Sequence, residues 1–107
     1  MKYHNQKVRA SGQVFDSRRE YNRWCELRML ERAGKISDLK RQVRFRLIPA
    51  QDVNGAYKER PADYIADFVY TKDGAQIVED AKGVRTPEYI LKRKLMLWVH
   101  GIAVSEV

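Results

Sequence analysis

The chain has 107 residues, too few to bury two independent cores, and reads as one domain spanning 1–107. A composition that is 44% apolar and 33% charged fits a folded, water-soluble protein and excludes a disordered one. With 21 Lys and Arg against 14 Asp and Glu the net charge is +7, which favours polyanionic partners, nucleic acid before anionic membrane surfaces. A lone cysteine, Cys25, excludes an internal disulfide, and neither a CxxC pair nor a histidine cluster offers a zinc site. No apolar run approaches membrane-spanning length and the first residues lack a signal-peptide core, so the expected setting is a reducing cytoplasm, away from membranes.

Residues 1–14 are polar and basic, broken by Gly12, and read as a partly ordered, flexible basic arm. Ser17 followed three residues later by Glu20 is a capping-box pattern; it opens a helix running to about Ala33 and stopped by Gly34. Tyr21, Trp24, Cys25 and Leu27 form its apolar stripe, extended by Leu30 and interrupted by Arg28. From Gln42 to Ile48 the residues alternate, Val43, Phe45 and Leu47 on one face and Gln42, Arg44 and Arg46 on the other, which predicts a half-buried strand ended by Pro49. The charged stretch 51–61 is a loop or a hairpin with its tip at Asn54-Gly55.

Tyr64–Thr71 and Gln76–Lys82 are two further strands, joined through Asp73-Gly74, a strong short-hairpin signal. Thr86-Pro87 supplies an N-cap and a first-turn proline for a helix across Tyr89–Val99, ended by Gly101. The segment Ile102–Val107 is a short strand candidate. The predicted order is α-β-β-β-α-β, an α/β (α+β) fold with helices flanking one central mixed sheet.

The Asp-Gly turn places the chemistry. With Asp73 and Gly74 as its two loop residues, Lys72 faces Ala75, and counting back in step brings Asp67 opposite Asp80. Opposed residues have Cβ atoms roughly 4.5–5.5 Å apart, where like charges repel. Lys82 lies two residues beyond Asp80 and emerges on the same face, with Val69 and Val78 supplying partial burial. Two carboxylates and an ammonium in that arrangement suit Mg²⁺, which relieves the repulsion and acts as a Lewis acid toward phosphate and water. The lysine can then orient or deprotonate the attacking water. An isolated DxK triplet is more often an ordinary solvent-facing strand; the opposed Asp67 is what favours a site.

Glu20 points along the packed face of the first helix, with Trp24 and Leu27 at i+4 and i+7, and is either a metal ligand or only a helix cap. Glu79 points away from Asp80 by alternation and ranks below it. On the second helix Ile90, Leu91, Lys94, Leu97 and Trp98 share a face by spacing, which makes Lys94 the preferred DNA contact there. Arg44, Arg46, Arg60 and Arg85 are candidate phosphate contacts, and Tyr57 a candidate for stacking on a base.

The segments FDSRRE, ADYIADF, VEDAKG and TPEYILKRKLM, in that order, resemble small phage and prophage proteins of the PD-(D/E)xK superfamily, over about residues 15–104. Those proteins are likened to archaeal-type Holliday-junction resolvases and to the endonuclease subunit of some transposition systems. The resemblance implies a restriction-endonuclease-like core and dependence on Mg²⁺ or Mn²⁺. It matches Glu20 to the first-helix glutamate, Asp67 to the central aspartate and Asp80-Ala81-Lys82 to the (D/E)xK segment. No Pro-Asp precedes the cluster, where the sequence reads Ile65-Ala66-Asp67. The implied activity is endonucleolytic cleavage of DNA, branched or recombination intermediates in particular, by a homodimer if the protein is a resolvase. The alternative is a noncatalytic DNA-binding replication or recombination accessory protein on the same fold.

Overall fold

A computed structural model describes residues 6–107. Along the chain it runs β1 (Val8–Ala10), β2 (Gln13–Phe15), α1 (Arg18–Arg32), β3 (Ser37–Ile48), β4 (Gln51–Val53), β5 (Tyr57–Glu59), β6 (Ala62–Lys72), β7 (Ala75–Asp80), α2 (Pro87–His100) and β8 (Ser105–Glu106). The central sheet has the order β3-β6-β7-β8 and is mixed: β3, β6 and β7 pair antiparallel, and β8 joins β7 in parallel. This is an α+β architecture, and each helix packs on the sheet through its own buried cluster.

Local chemistry sets the ends of these elements. Ser17 caps α1 by accepting from the Glu20 N–H, and Thr86 caps α2 in the same way for Tyr89, with Pro87 in the first turn. Gly101 closes α2 at φ +69°, a left-handed conformation that glycine takes without a Cβ clash. Asp73 and Gly74 are both left-handed, as a two-residue turn of this twist requires, and Lys72 pairs with Ala75 across it.

Two hairpins accompany the sheet. β1 and β2 pair over residues 8–15, so that part of the segment expected to be a flexible arm is an ordered ribbon; residues 1–5 lie outside the described ones. β4 and β5 pair around Asn54-Gly55, the second of the two forms expected for 51–61, and none of their residues is buried. β3 begins at Ser37, five residues before the expected start, because the polar run Ser37–Arg41 pairs with the hairpin end of β6.

One irregularity shapes the site. Strict alternation along β6 would send Tyr64, Ala66, Phe68 and Tyr70 to a single face. Instead Tyr64 and Ala66 pack with Tyr89 and Met96 of α2, whereas Phe68 and Tyr70 pack with Leu27 and Trp24 of α1. β3 changes face in step, since Leu39 joins the α1 cluster while Val43 and Phe45 join that of α2. The change falls at Gln42, which has φ +53° in mid-strand, and at Asp67 beside it. The ladder pairs Arg41–Phe68 and Val43–Ala66 flank the two.

The second helix differs from expectation in the face it buries. Tyr89 and Met96 are its buried residues, with Arg93 between them at helical spacing and half-buried. Leu91, Lys94, Leu97 and Trp98 are exposed, Trp98 to 82%. α2 carries apolar residues all round, so periodicity alone had no polar face to orient it by.

Candidate active site

Asp67 and Asp80 come together through the registry of the β6–β7 hairpin. Its ladder runs from Lys72–Ala75 to Phe68–Glu79, and the next residues in step are Asp67 and Asp80. Asp80 is only 2% exposed. Its Oδ2 accepts a hydrogen bond of 2.6 Å from the Tyr64 hydroxyl. Its Oδ1 has no hydrogen-bond partner; Lys82 Nζ lies 3.4 Å away, close enough for charge attraction but not aligned to bond. A buried carboxylate oxygen without a hydrogen bond costs stability, which the Lys82 ammonium offsets in part and a divalent cation would offset further.

Asp67 sits where the sheet changes face and interacts with acids on both sides. Its Oδ1 accepts from Gln42 Nε2 at 3.3 Å and its Oδ2 from the Ala81 N–H at 2.9 Å. Burial, then the charge of Asp80, push its carboxyl up to about 7; the Ala81 N–H opposes this, and Glu20 adds to it. Burial, then the bond to Asp80, likewise push the Tyr64 hydroxyl far above its ordinary range, so it stays a donor.

Glu20 is 3% exposed and more than a cap. Its N–H meets Ser17 Oγ, but its carboxylate is bound by Arg41 Nη2 at 2.9 Å, so only half of the capping box is made. Arg41 in turn donates to Gln13 Oε1 and the Val14 carbonyl, and its guanidinium lies 3.9 Å from the centre of the Phe15 ring. The β1–β2 ribbon thus clamps Arg41, and Arg41 clamps Glu20.

Tyr64, Arg41 and Gln42 escaped the sequence reading. Arg41 left a usable signal: counting back from Val43 in steps of two places it with Leu39 on the packed parity of β3, where an arginine needs an acid. Tyr64 shares the parity of Ala66 on β6 and was open to the same argument. For Gln42 no such signal exists, since its left-handed backbone is not encoded by residue type.

An open cleft of about 580 Å³ adjoins the cluster, with Asp16, Arg18, Arg19, Glu20, Asp67 and Lys82 in its wall; Asp80 lines a second depression with Tyr64 and Tyr89, and Lys82 borders both. None of the five proposed DNA contacts lines the cleft. Arg44 and Arg46 are ion-paired to Asp63, Arg85 to Glu106, and Arg60 is exposed beyond the β4–β5 hairpin. Lys94 is exposed on α2, away from the face that buries Tyr89 and Met96. Glu79 faces α1, as alternation predicts, where Arg23 binds both its oxygens at 2.8 and 2.7 Å and the Tyr70 hydroxyl donates to it.

Among the described residues no three His, Cys, Asp or Glu side chains form a ready-made cation cage. The donor set nevertheless fits a hard divalent ion. Asp80 Oδ1 is unbonded, Asp67 retains acceptor capacity beyond its two donors, and both are oxygen ligands of the kind Mg²⁺ and Mn²⁺ take.

Fold and site together define a small α+β domain with a mixed four-stranded sheet and a buried acidic pair beside a lysine, Asp67 and Lys82 opening onto a cleft of mixed charge. The chain belongs to the family described as "Protein of unknown function (DUF1064)", whose model matches residues 1–100. Neither a curated protein nor a solved structure matches the chain.

Proposed function

We propose that the protein is a metal-dependent endodeoxyribonuclease of the PD-(D/E)xK type, hydrolysing DNA phosphodiester bonds at the Asp67–Asp80–Lys82 cluster. The observation that carries this reading is Asp80: buried, fixed by Tyr64, and without a hydrogen bond on the oxygen that Lys82 faces. A structural carboxylate would have that oxygen bonded, as Glu79 does one residue away.

Asp67 and Asp80 would hold Mg²⁺ or Mn²⁺, which supplies charge neutralisation and Lewis acidity toward a phosphodiester. Lys82 lies within ion-pair range of Asp80 and is a third exposed, so it reaches the cleft and can orient a water for in-line attack. Tyr64 keeps Asp80 in one rotamer. Glu20 lines the cleft beside Asp67 and raises the negative potential there, with one of its oxygens held by Arg41. Arg18 and Arg19 stand in the cleft wall where a phosphate backbone would approach.

Branched or recombination DNA is the expected substrate, in a reducing cytoplasm suited to the free thiol of Cys25. Paired cuts on a junction would need a homodimer. The competing reading, a noncatalytic DNA-binding accessory protein, draws on the absence, among the described residues, of a ready-made cage of three acids.

The test is incubation with duplex, single-stranded, flap and four-way-junction DNA in Mg²⁺ or Mn²⁺. The nuclease reading predicts cleavage of at least one substrate, lowered about 100-fold or more in Asp80→Asn. Tight gel shifts with no cleavage in either metal would leave the accessory role instead.

A further inference from the structure

We propose that Gln42 is the positioning residue of this site: its left-handed backbone in mid-strand sets its amide on Asp67 and aims that carboxylate at Asp80. The inference rests on the metal-site reading above and deepens it.

Left-handed φ is unusual for any residue with a side chain, and outside Asn and Asp it persists only where surroundings enforce it. Among the described non-glycine residues five have positive φ. Ser11, Asn54 and Asp73 sit at hairpin turns, and Asp38 at a register shift near the start of β3. Gln42 alone lies inside a stretch of constant register, with ladder pairs from Lys40–Val69 to Arg46–Asp63 on both sides of it.

The consequence is a division of labour among three consecutive residues. Arg41 turns toward α1 and holds Glu20; Val43 turns toward α2 and enters its core; Gln42, between them, reaches across to Asp67 Oδ1. A regular strand would send Arg41 and Val43 to the same face and separate the two acids' supports. Gln42 and the Ala81 N–H each take one acceptor position of Asp67, on different oxygens, which fixes the carboxylate plane and leaves its remaining lone pairs for a cation. A neutral amide does this without the repulsion a lysine or arginine would bring to a bound metal.

Two substitutions separate positioning from simple support of the strand. Gln42→Gly removes the amide and relaxes the backbone, so its Tm equals or exceeds that of the wild type. Gln42→Ala removes the amide and keeps the strain, so its Tm falls. Calorimetric titration with Mn²⁺ alone should show both variants binding about 10-fold or more weakly than the wild type, whatever their Tm. Wild-type affinity in Gln42→Gly would overturn the positioning role while leaving the metal site intact. A wild-type protein that takes up no Mn²⁺ would remove the metal site, and Gln42's role with it.

Discussion

At the scale of single residues the site is a balance of unfavourable burials. Asp80 is hydrogen-bonded on one oxygen and only ion-paired, to Lys82, on the other, and Asp67 is pushed up to about 7 by its burial and by the charge of Asp80. In the unfolded chain Asp67 titrates near the ordinary aspartate value of about 3.9. Between the two values the folded protein keeps a proton that the unfolded chain has lost. The metal-free protein therefore loses stability as pH rises from about 4 to about 7. Asp67→Asn removes that titration, so thermal melts should show its advantage over the wild type growing from pH 5 to pH 7. An advantage that stays constant across that range would mean Asp67 is not held in the protonated form. The pairing behind this prediction was legible in the sequence, because an Asp-Gly turn of two residues has one registry. The support of the pair by Gln42, Tyr64 and Arg41 was not, because it depends on a face change that no residue pattern announces.

At the scale of elements, β7 divides its two neighbouring acids between the two helices. Asp80 turns toward the cluster under α2, and Glu79 fastens α1 through Arg23 while accepting from Tyr70 of β6. Glu79→Ala strands the Tyr70 hydroxyl and frees Arg23, which is partly exposed and can recover water. The expected cost is about 2 kcal/mol in denaturant unfolding, below that of breaking a fully buried pair, with Mn²⁺ affinity unchanged. Loss of metal binding in that variant would assign the metal to Glu79 instead. The caps, the Asp-Gly and Asn-Gly turns and the strand alternation gave the elements their type and order. Two features stayed hidden for physical reasons. The β1–β2 ribbon is ordered by long-range contacts to Arg41, and α2 has no polar face to mark its outside.

At the scale of the molecule, the excess positive charge is unevenly spent. Arg44 and Arg46 share Asp63, while Arg85 and Arg93 share Glu106, whose carboxyl is lowered to about 2 chiefly by its bond to Arg85 and then by that to Tyr89. Those arginines tie β3 to β6 and tie α2 and the loop before it to β8, whereas Arg18, Arg19 and Lys82 line the cleft with Asp16, Glu20 and Asp67. Acids and bases stand side by side in that wall, three of each, and a phosphodiester bound with a divalent cation has use for both signs. The most direct measurement is calorimetric titration of Mn²⁺ into the wild type and Asp80→Asn, a substitution that keeps an oxygen for the Tyr64 hydroxyl. The account predicts binding to the wild type that weakens about 10-fold or more in the variant. Equal binding in the two proteins, or none in the wild type, would contradict it.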